Sequence, residues 1–405
     1  MSDYLTQTQP RQRLPRDAYI SDAWYRREQQ GLLSNTWRFV GITHDFKQTG
    51  DYRCVQTGVF NLVVMQGESG EIRAFHNHCE HRGTELLEGS GCVQGQIICP
   101  YHHWSYDLDG CLRSVPAQKQ CFPELDKNAI RLKTASVGVF RDLIFVHPSD
   151  QPPLPFEKWL GGLGDVAWPH DMSDNSMVES DKTLVYEIQC NWKVFLENAI
   201  DGYHLAFLHR NTLGGPIPTR NEWQIFNQHM VWWSTERPQG RHPVPRFVER
   251  AMEQAGVKSV KGLGSDFGGV YVLFPLTIVT PSPWGLAISW LEPQSAHVTL
   301  LKARTWTAKS WWSYKERPED APGFDQATGL IKSSHWKTHP LQSGDFQTED
   351  IWVCEKMQRS LQSPAYEVTA LARGAGGEAM LEFFQNCVLE HMNQTGSSSV
   401  ALDAI

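Results

Sequence analysis

No cluster of Lys and Arg concentrates positive charge anywhere in this 405-residue chain, and 37 basic against 45 acidic side chains leave a formal net charge of −8. Phosphate neutralisation needs a dense basic surface, so the composition argues against a nucleic-acid partner. No apolar run approaches the roughly 20 residues that cross a bilayer. The opening stretch, MSDYLTQTQPRQRLPRD, is polar from its first residue. Neither a membrane span nor a signal peptide is expected, and the expected compartment is the cytoplasm. Cysteine is scarce and odd in number, nine in all, which suits a reducing compartment better than a disulfide framework. G-x-G-x-x-G and C-x₄-C-x₂-C runs are both missing. Nucleotide, flavin and plant-type ferredoxin functions are therefore expected on other proteins.

What is present reads as two globular domains of α+β class, with an apolar content of 40% and length enough for two cores. Sixteen tryptophans are expected mainly as aromatic core. Residues 1–36 read as a polar arm, lying on the surface or on a neighbouring subunit, and a short helix over 21–36. Ser21 or Asp22 would cap that helix and Gly31 would lie near its end. From Trp37 the runs WRFVGITHDF, DYRCVQTG, FNLVVMQG and EIRAFHNHC alternate with turn residues at Thr49-Gly50 and Gly67–Gly70. With QGQIICPYHHWSYDLDGCL and SVGVFRDLIFVHP they predict a small all-β domain over 37–150. SDQPPLPFEKWLGG reads as a Pro/Gly linker. A second domain is expected over 151–395, and 396–405 reads as a flexible tail. In the second domain DKTLVYEIQC predicts a strand, and NWKVFLENAIDGYHLAFLHR one helix capped by Asn191. Residues 268–307 predict consecutive antiparallel strands, and 347–362 and 375–393 closing helices.

The chemistry concentrates in two places. Cys79-x-His81 and Cys99-x-x-His102 offer two thiolates and two imidazoles. Structural zinc is one reading, although zinc knuckles more often pair two cysteines. One Cys and one His from each knuckle suit a [2Fe–2S] cluster in which one iron takes both thiolates and the other both imidazoles. His76, His78 and His103 lie nearby and read as surface or supporting residues, not ligands. The second place holds His204 and His209, five residues apart. In a regular helix they diverge by roughly 140°, so they can share a metal only where the helix ends or bulges.

The first motif, C-x-H-R-G followed by C-P-Y-H-x-W-x-Y-x-x-x-G, resembles the Rieske domain of the ring-hydroxylating oxygenase α subunits. The second resembles that family's N-W-K-x-x-x-E-N-x-x-D-x-Y-H-x-x-x-x-H, matched at Asn191, Trp192, Lys193, Glu197, Asn198, Asp201, Tyr203, His204 and His209. FQTEDIWVCEKMQRSL resembles its D-x-x-x-x-E-x-x-Q at Asp350, Glu355 and Gln358. The resemblance implies a Rieske [2Fe–2S] cluster on Cys79, His81, Cys99 and His102, and a catalytic domain with a large antiparallel sheet covered by helices (helix-grip). It further implies a mononuclear Fe(II) on His204, His209 and Asp350. Glu349 and Asp345 compete for the carboxylate place, and a solvated acidic helix start is the bland alternative. Asn198 is counted with the catalytic residues. Asp201 is expected to relay electrons from His102 of one subunit to His204 of the next, which implies a homotrimer, alone or with a small β subunit.

The expected function is a terminal oxygenase that uses O₂ and electrons from a separate NAD(P)H-dependent reductase or ferredoxin to hydroxylate a small molecule. Glu197-Asn198-x-x-Asp201-Gly202-Tyr203-His204 leans towards aromatic acids. The length and the Glu349-Asp350 pair fit carnitine, choline or betaine enzymes instead. Trp232, Trp233 and Trp284 would stack on a ring, box a trimethylammonium, or only fill the core. A non-catalytic Rieske electron carrier is the rival from another class, and it has no use for the 191–209 motif.

Overall fold

The computed structural model describes residues 9–170, 172, 177–179, 183–213, 223–234, 247, 250, 251, 254, 258, 267–308, 318–368, 370–374 and 377–396. The start of the expected arm, the tail beyond Gly396 and much of 215–266 lie outside the described residues. The chain divides into two compact units, Arg27–Trp159 and Met1–Arg26 with Leu160–Ile405. The first division falls within the helix Asp22–Gln30 (α1), where the Ser21 hydroxyl accepts the Trp24 N–H at 3.3 Å.

The smaller unit is all-β in its sheets. Arg38–Ile42 (β1), Asp51–Thr57 (β2), Phe60–Gln66 (β3), Ile72–His76 (β4) and Ser90–Cys92 (β5) precede a three-stranded sheet of Gln96–Ile98 (β6), Ser105–Asp107 (β7) and Leu112–Ser114 (β8). Thr134–Phe140 (β9) and Leu143–His147 (β10) complete the larger sheet, whose order is β1-β10-β9-β4-β3-β2-β5, with every neighbouring pair antiparallel. Strand β3 shows why the fold is stable. Its period of two sends Val63 and Met65 into one core and Leu62 and Val64 into another, and all four are fully buried. The first of these cores also contains Cys79, Cys99, Trp104 and Tyr106.

The stretch read as a linker is packed instead. Phe156–Leu160 is a helical turn, and the Phe156 ring meets Trp37 at 4.9 Å and stacks on Trp159 at 5.6 Å. Gly138 permits this, since a β-carbon there would fall inside the Phe156 ring. Buried aromatic area outweighs the loop preference of the prolines around it.

The larger unit is built on a ten-stranded sheet: Met177–Glu179 (β11), Leu184–Ile188 (β12), Gln224–Phe226 (β13), His229–Ser234 (β14), Gly268–Leu273 (β15), Thr277–Ser282 (β16), Gly285–Pro293 (β17), Thr299–Ala308 (β18), Phe324–Asp325 (β19) and Leu330–Lys332 (β20). Strands β13 to β18 run as an antiparallel meander, and β12 joins β18 antiparallel and β20 parallel. Trp192–Ile200 (α2), Leu205–Leu208 (α3), Phe346–Leu361 (α4) and Ala379–Gly396 (α5) accompany the sheet. Helix α2 starts where the Asn191 side chain accepts the Lys193 N–H at 3.1 Å, and α4 where Asp345 accepts the N–H groups of Gln347 and Thr348. Trp192 meets Phe384 edge-on at 5.8 Å, joining α2 to α5. The N-terminal arm lies along α5, with Arg13 N–H on Gln385 Oε1 at 2.6 Å and Arg11 N–H on Glu382 Oε2 at 3.0 Å.

The single helix expected over 191–209 is two. Asp201 ends α2 with an extended backbone, and its Oδ1 accepts the Tyr203 N–H at 2.7 Å. That local bond competes with the helical ladder, and Gly202 follows it, so the chain turns before α3. Among the described residues no helix is long and apolar enough to cross a membrane, and all nine cysteines are free thiols.

Candidate metal centres

In the smaller unit Cys79 and Cys99 each open a turn of the same form. The Cys79 carbonyl accepts the Gly83 N–H at 2.8 Å, and the Cys99 carbonyl accepts the His103 N–H at 3.1 Å. The Cys79 N–H donates to the Thr84 carbonyl and the Cys99 N–H to the Trp104 carbonyl, both at 2.8 Å. Both turns need a left-handed residue four places after the cysteine, and φ is +76° at Gly83 and +57° at His103.

The two turns bring the four candidate donors to one end of the unit. Both thiols are buried, and the Cys79 Sγ lies 3.2 Å from the Tyr106 hydroxyl. The His81 ring stacks on Trp104 with centroids 4.7 Å apart and meets the His102 ring at 4.8 Å. His102 Nδ1 is buried with no hydrogen-bond partner among the described residues. An orphaned inward nitrogen fits a metal ligand. The spread of the donors bears on which metal. A single zinc ion would hold four donors within about 4 Å of one another. Among the described residues, Cys79, His81, Cys99 and His102 make no such group. Division of the ligands between two irons accommodates that wider spacing. Burial pushes the Cys79 thiol above its ordinary range, a cost that a bound cation reverses by favouring the thiolate. Of the neighbouring histidines, His76 Nε2 lies 3.0 Å from the Pro148 carbonyl, and His103 is exposed.

In the larger unit the break after α2 makes His204 and His209 converge. They flank α3 at its two ends, and their Nε2 atoms lie 3.2 Å apart. From α4, Asp350 Oδ1 lies 3.6 Å from His204 Nε2 and 3.0 Å from His209 Nε2. Donors about 2.1 Å from one ion, at right angles to each other, lie about 3 Å apart. The trio therefore fits three adjacent positions of one metal ion, and its two-imidazole, one-carboxylate composition suits ferrous iron.

Each member of the trio is held by a further side chain. Asp201 Oδ2 lies 3.2 Å from His204 Nδ1, and Asn198 Nδ2 donates to Asp350 Oδ1 at 2.8 Å. Glu349 Oε2 lies 2.7 Å from His209 Nδ1 and accepts the Thr212 hydroxyl at 2.7 Å. Burial pushes the His209 imidazole down, but Asp350 and Glu349 together outweigh it and hold the ring above the ordinary histidine range. The competitors for the carboxylate place have other positions. Asp345 caps α4, and Glu349, almost fully buried, points at the far nitrogen of His209. That role for Glu349 was missed in the sequence, where its only signal was an acid next to Asp350.

The rest of the α4 motif is a joint. Glu355 Oε1 accepts the Gln189 N–H at 3.0 Å and the Ser333 hydroxyl at 2.9 Å, and Gln358 Oε1 accepts the Asn191 N–H at 3.0 Å. These bonds fix the start of α2 against α4. Of the three tryptophans singled out, Trp233 is core, packed edge-on against Phe267 at 5.5 Å and Tyr271 at 5.3 Å. Trp232 is half-buried and tilted against Trp223 at 6.3 Å, and Trp284 is half-buried.

Comparison with known proteins identifies the family of both units. Residues 36–135 match the model of the Rieske [2Fe-2S] domain, and residues 176–394 match that of the ring hydroxylating alpha subunit catalytic domain. The glycine betaine monooxygenase oxygenase subunit of Chromohalobacter salexigens is 34% identical over 216 residues, 53% of this chain and 47% of that protein. The matched stretch thus spans about half the length of that relative. The carnitine monooxygenase oxygenase subunit of Acinetobacter baumannii is 28% identical over 390 residues, 93% of this chain and 94% of its own length. Among solved structures, a quaternary ammonium Rieske monooxygenase superposes with a TM-score of 0.70 at 20% identity, covering 97% of this chain and 98% of that one.

Proposed function

We propose that this chain, which belongs to the family of Rieske ring-hydroxylating oxygenase α subunits, is the terminal oxygenase for a small quaternary ammonium compound. The family's cofactors are a Rieske [2Fe–2S] cluster and a mononuclear iron. When bound, they supply single electrons and two open coordination positions for O₂ chemistry. Cys79, His81, Cys99 and His102 would hold the cluster, and His204, His209 and Asp350 the iron.

The observation that carries the oxygenase reading is the convergence of His204, His209 and Asp350 behind a broken helix. The betaine and carnitine enzymes among its relatives support the substrate class. The aromatic-acid reading, which the 197–204 motif favoured, therefore becomes the second choice. In the net reaction one oxygen atom enters a C–H bond beside the ammonium nitrogen and the other leaves as water, with two electrons from a reductase and two protons. The hydroxylated carbon then releases the nitrogen with its electron pair, breaking the C–N bond and leaving an aldehyde.

Asp201 serves two atoms at once, Tyr203 N–H and His204 Nδ1, so its carboxylate is fixed in direction. We assign it the electron relay from His102 of a neighbouring copy to His204. Tyr203 and Phe207 beside Asp201, and Ile98 and Tyr101 beside His102, are large exposed apolar side chains. Burial of such rims between copies supports a head-to-tail ring. The test of the function is a single turnover of reduced, iron-loaded protein with isotope-labelled O₂ and a panel of quaternary ammonium compounds and aromatic carboxylates. C–N cleavage of an ammonium compound is the expected result. Label in a ring hydroxyl would replace this reading with the aromatic one.

A further inference from the structure

Tyr19 lies in the helical turn Asp17–Ile20 at the end of the N-terminal arm and is buried. Its hydroxyl uses every hydrogen-bonding position it has. It donates to Glu197 Oε1 at 2.7 Å and accepts from Gln12 Nε2 at 3.0 Å and Gln385 Nε2 at 3.2 Å. The Lys193 ammonium lies 5.6 Å from the centre of its ring. Lys193 and Glu197 stand one turn apart on α2, so the Tyr19 side chain holds one face of that helix at two points. The Tyr19 carbonyl accepts Gln358 Nε2, on α4, at 3.0 Å. One residue of the arm therefore ties together the two helices that flank the candidate iron site.

At its start α2 is fixed to α4 through Gln358 and the Asn191 N–H. A rod held at one end can still roll about its axis and swing. Glu197 lies about 9 Å along the axis from Asn191, so Tyr19 supplies a second point of attachment. Asn198, the next residue, points about 100° away around the helix and donates to Asp350 Oδ1 at 2.8 Å. Asp201, which ends α2, meets His204 Nδ1 at 3.2 Å. A roll of about 20° would carry a side-chain tip about 5 Å from the axis through about 2 Å, enough to break either contact. We infer that Tyr19 is a positioning residue for the mononuclear iron, setting the roll of α2 against α4 and so the placing of Asn198 and Asp201 about Asp350 and His204. It acts through Glu197 and Gln358. The inference rests on the assignment of iron to His204, His209 and Asp350, and on no particular substrate.

The test reads metal binding, not turnover, in the full chain carrying its cluster. Tyr19→Phe removes one hydroxyl and keeps the ring. In chelator competition it should weaken iron at the mononuclear site by about threefold to tenfold, less than the loss of a residue bonded directly to a ligand, with Rieske absorption intact. Cobalt(II) loaded in place of that iron should show a changed EPR spectrum, because the donor directions shift. Arg13→Ala is the control for stability alone. It loses the 2.7 Å bond from Arg13 Nε to Glu382 Oε1 and keeps Tyr19. It should change iron affinity less than about twofold and leave the cobalt spectrum as in wild type, whatever it does to the melting temperature. Wild-type affinity and spectrum in Tyr19→Phe would overturn the inference. Equal weakening in both variants would also overturn it, reducing Tyr19 to a contributor to overall stability. Asp350→Ala separates the inference from the iron assignment. If that variant keeps its mononuclear iron, the assignment fails and the role of Tyr19 with it. If it loses the iron while Tyr19→Phe binds it as wild type does, only the role of Tyr19 fails.

Discussion

In the smaller unit the four candidate cluster donors come from two short turns that repeat one hydrogen-bond scheme, Cys79 with Gly83 and Thr84, Cys99 with His103 and Trp104. In the larger unit the three candidate iron donors come from the two ends of a four-residue helix and from α4, far along the chain. The first arrangement is made by local backbone geometry and the second by helix packing. A locally built site should fail through its own residues, whereas a site built by packing should also fail through its supports.

The largest expected effects separate the two regions by metal content. Cys99→Ala should remove the cluster, leaving about one iron per chain and no Rieske absorption. Asp350→Ala should leave about two irons and an intact Rieske spectrum. Unchanged iron in the second variant would sink the assignment of Asp350. Next in size is Asp201→Asn, in which both sites stay metallated and reducible while product formation falls by at least about a hundredfold. Turnover at the original rate would refute the relay.

Glu349→Gln tests whether the packed site depends on its supports. Replacing the partner of His209 Nδ1 should weaken iron binding by about 10- to 100-fold without touching the Rieske signal, as measured by chelator competition. The smallest expected effect is on pH dependence. Glu197 titrates near 7 in the fold against an ordinary 4.5. The folded state therefore keeps a proton that the unfolded chain loses, and this stabilisation is complete below about 4.5 and is lost as pH rises through about 7. Its ceiling is about 3 kcal/mol. The melting temperature of wild type relative to Glu197→Gln should fall by a few degrees across that window. A flat difference would show that Glu197 is not held protonated by the fold.

The same contrast explains what could be read from the sequence. The β-strands of the smaller unit and the two Cys/His pairs were legible because each strand's alternation and each pair's spacing is a local pattern, even where a strand's partner is as distant as that of β1 with β10. The meander over 268–307 and the cap Asn191 were legible for the same reason, whereas Asp345, read as a competitor for the iron, is a helix cap. The convergence of His204 and His209 was read from the family resemblance and not from the pattern of residues, because it depends on a helix break at Asp201 that the apolar pattern continues straight through. Asp350 was likewise chosen over Glu349 by resemblance, and the role of Glu349 was hidden. Adjacent helical residues point about 100° apart, and only the position of α4 decides which of them faces the two Nε2 atoms. The linker reading of 149–162 contains the division between the units at Trp159 and Leu160, but prolines announce a loop without showing that Phe156 and Trp159 have a core to enter.

Fastening α2 to α4 through Glu355 and Gln358 makes that part of the molecule intolerant of a particular kind of genetic change. Both side chains grip backbone N–H groups, at Gln189 and Asn191, so they bind whatever side chains those two positions carry. Point substitutions at residue 189 should accordingly be tolerated. A single-residue insertion or deletion between Asp350 and Glu355 is different. It would turn the carboxylate by about 100° and slide it about 1.5 Å along the helix relative to the grip, aiming Asp350 away from both imidazoles. Surviving variants of this chain should therefore vary in the side chain at residue 189 and hardly at all in the length of the 350–355 segment.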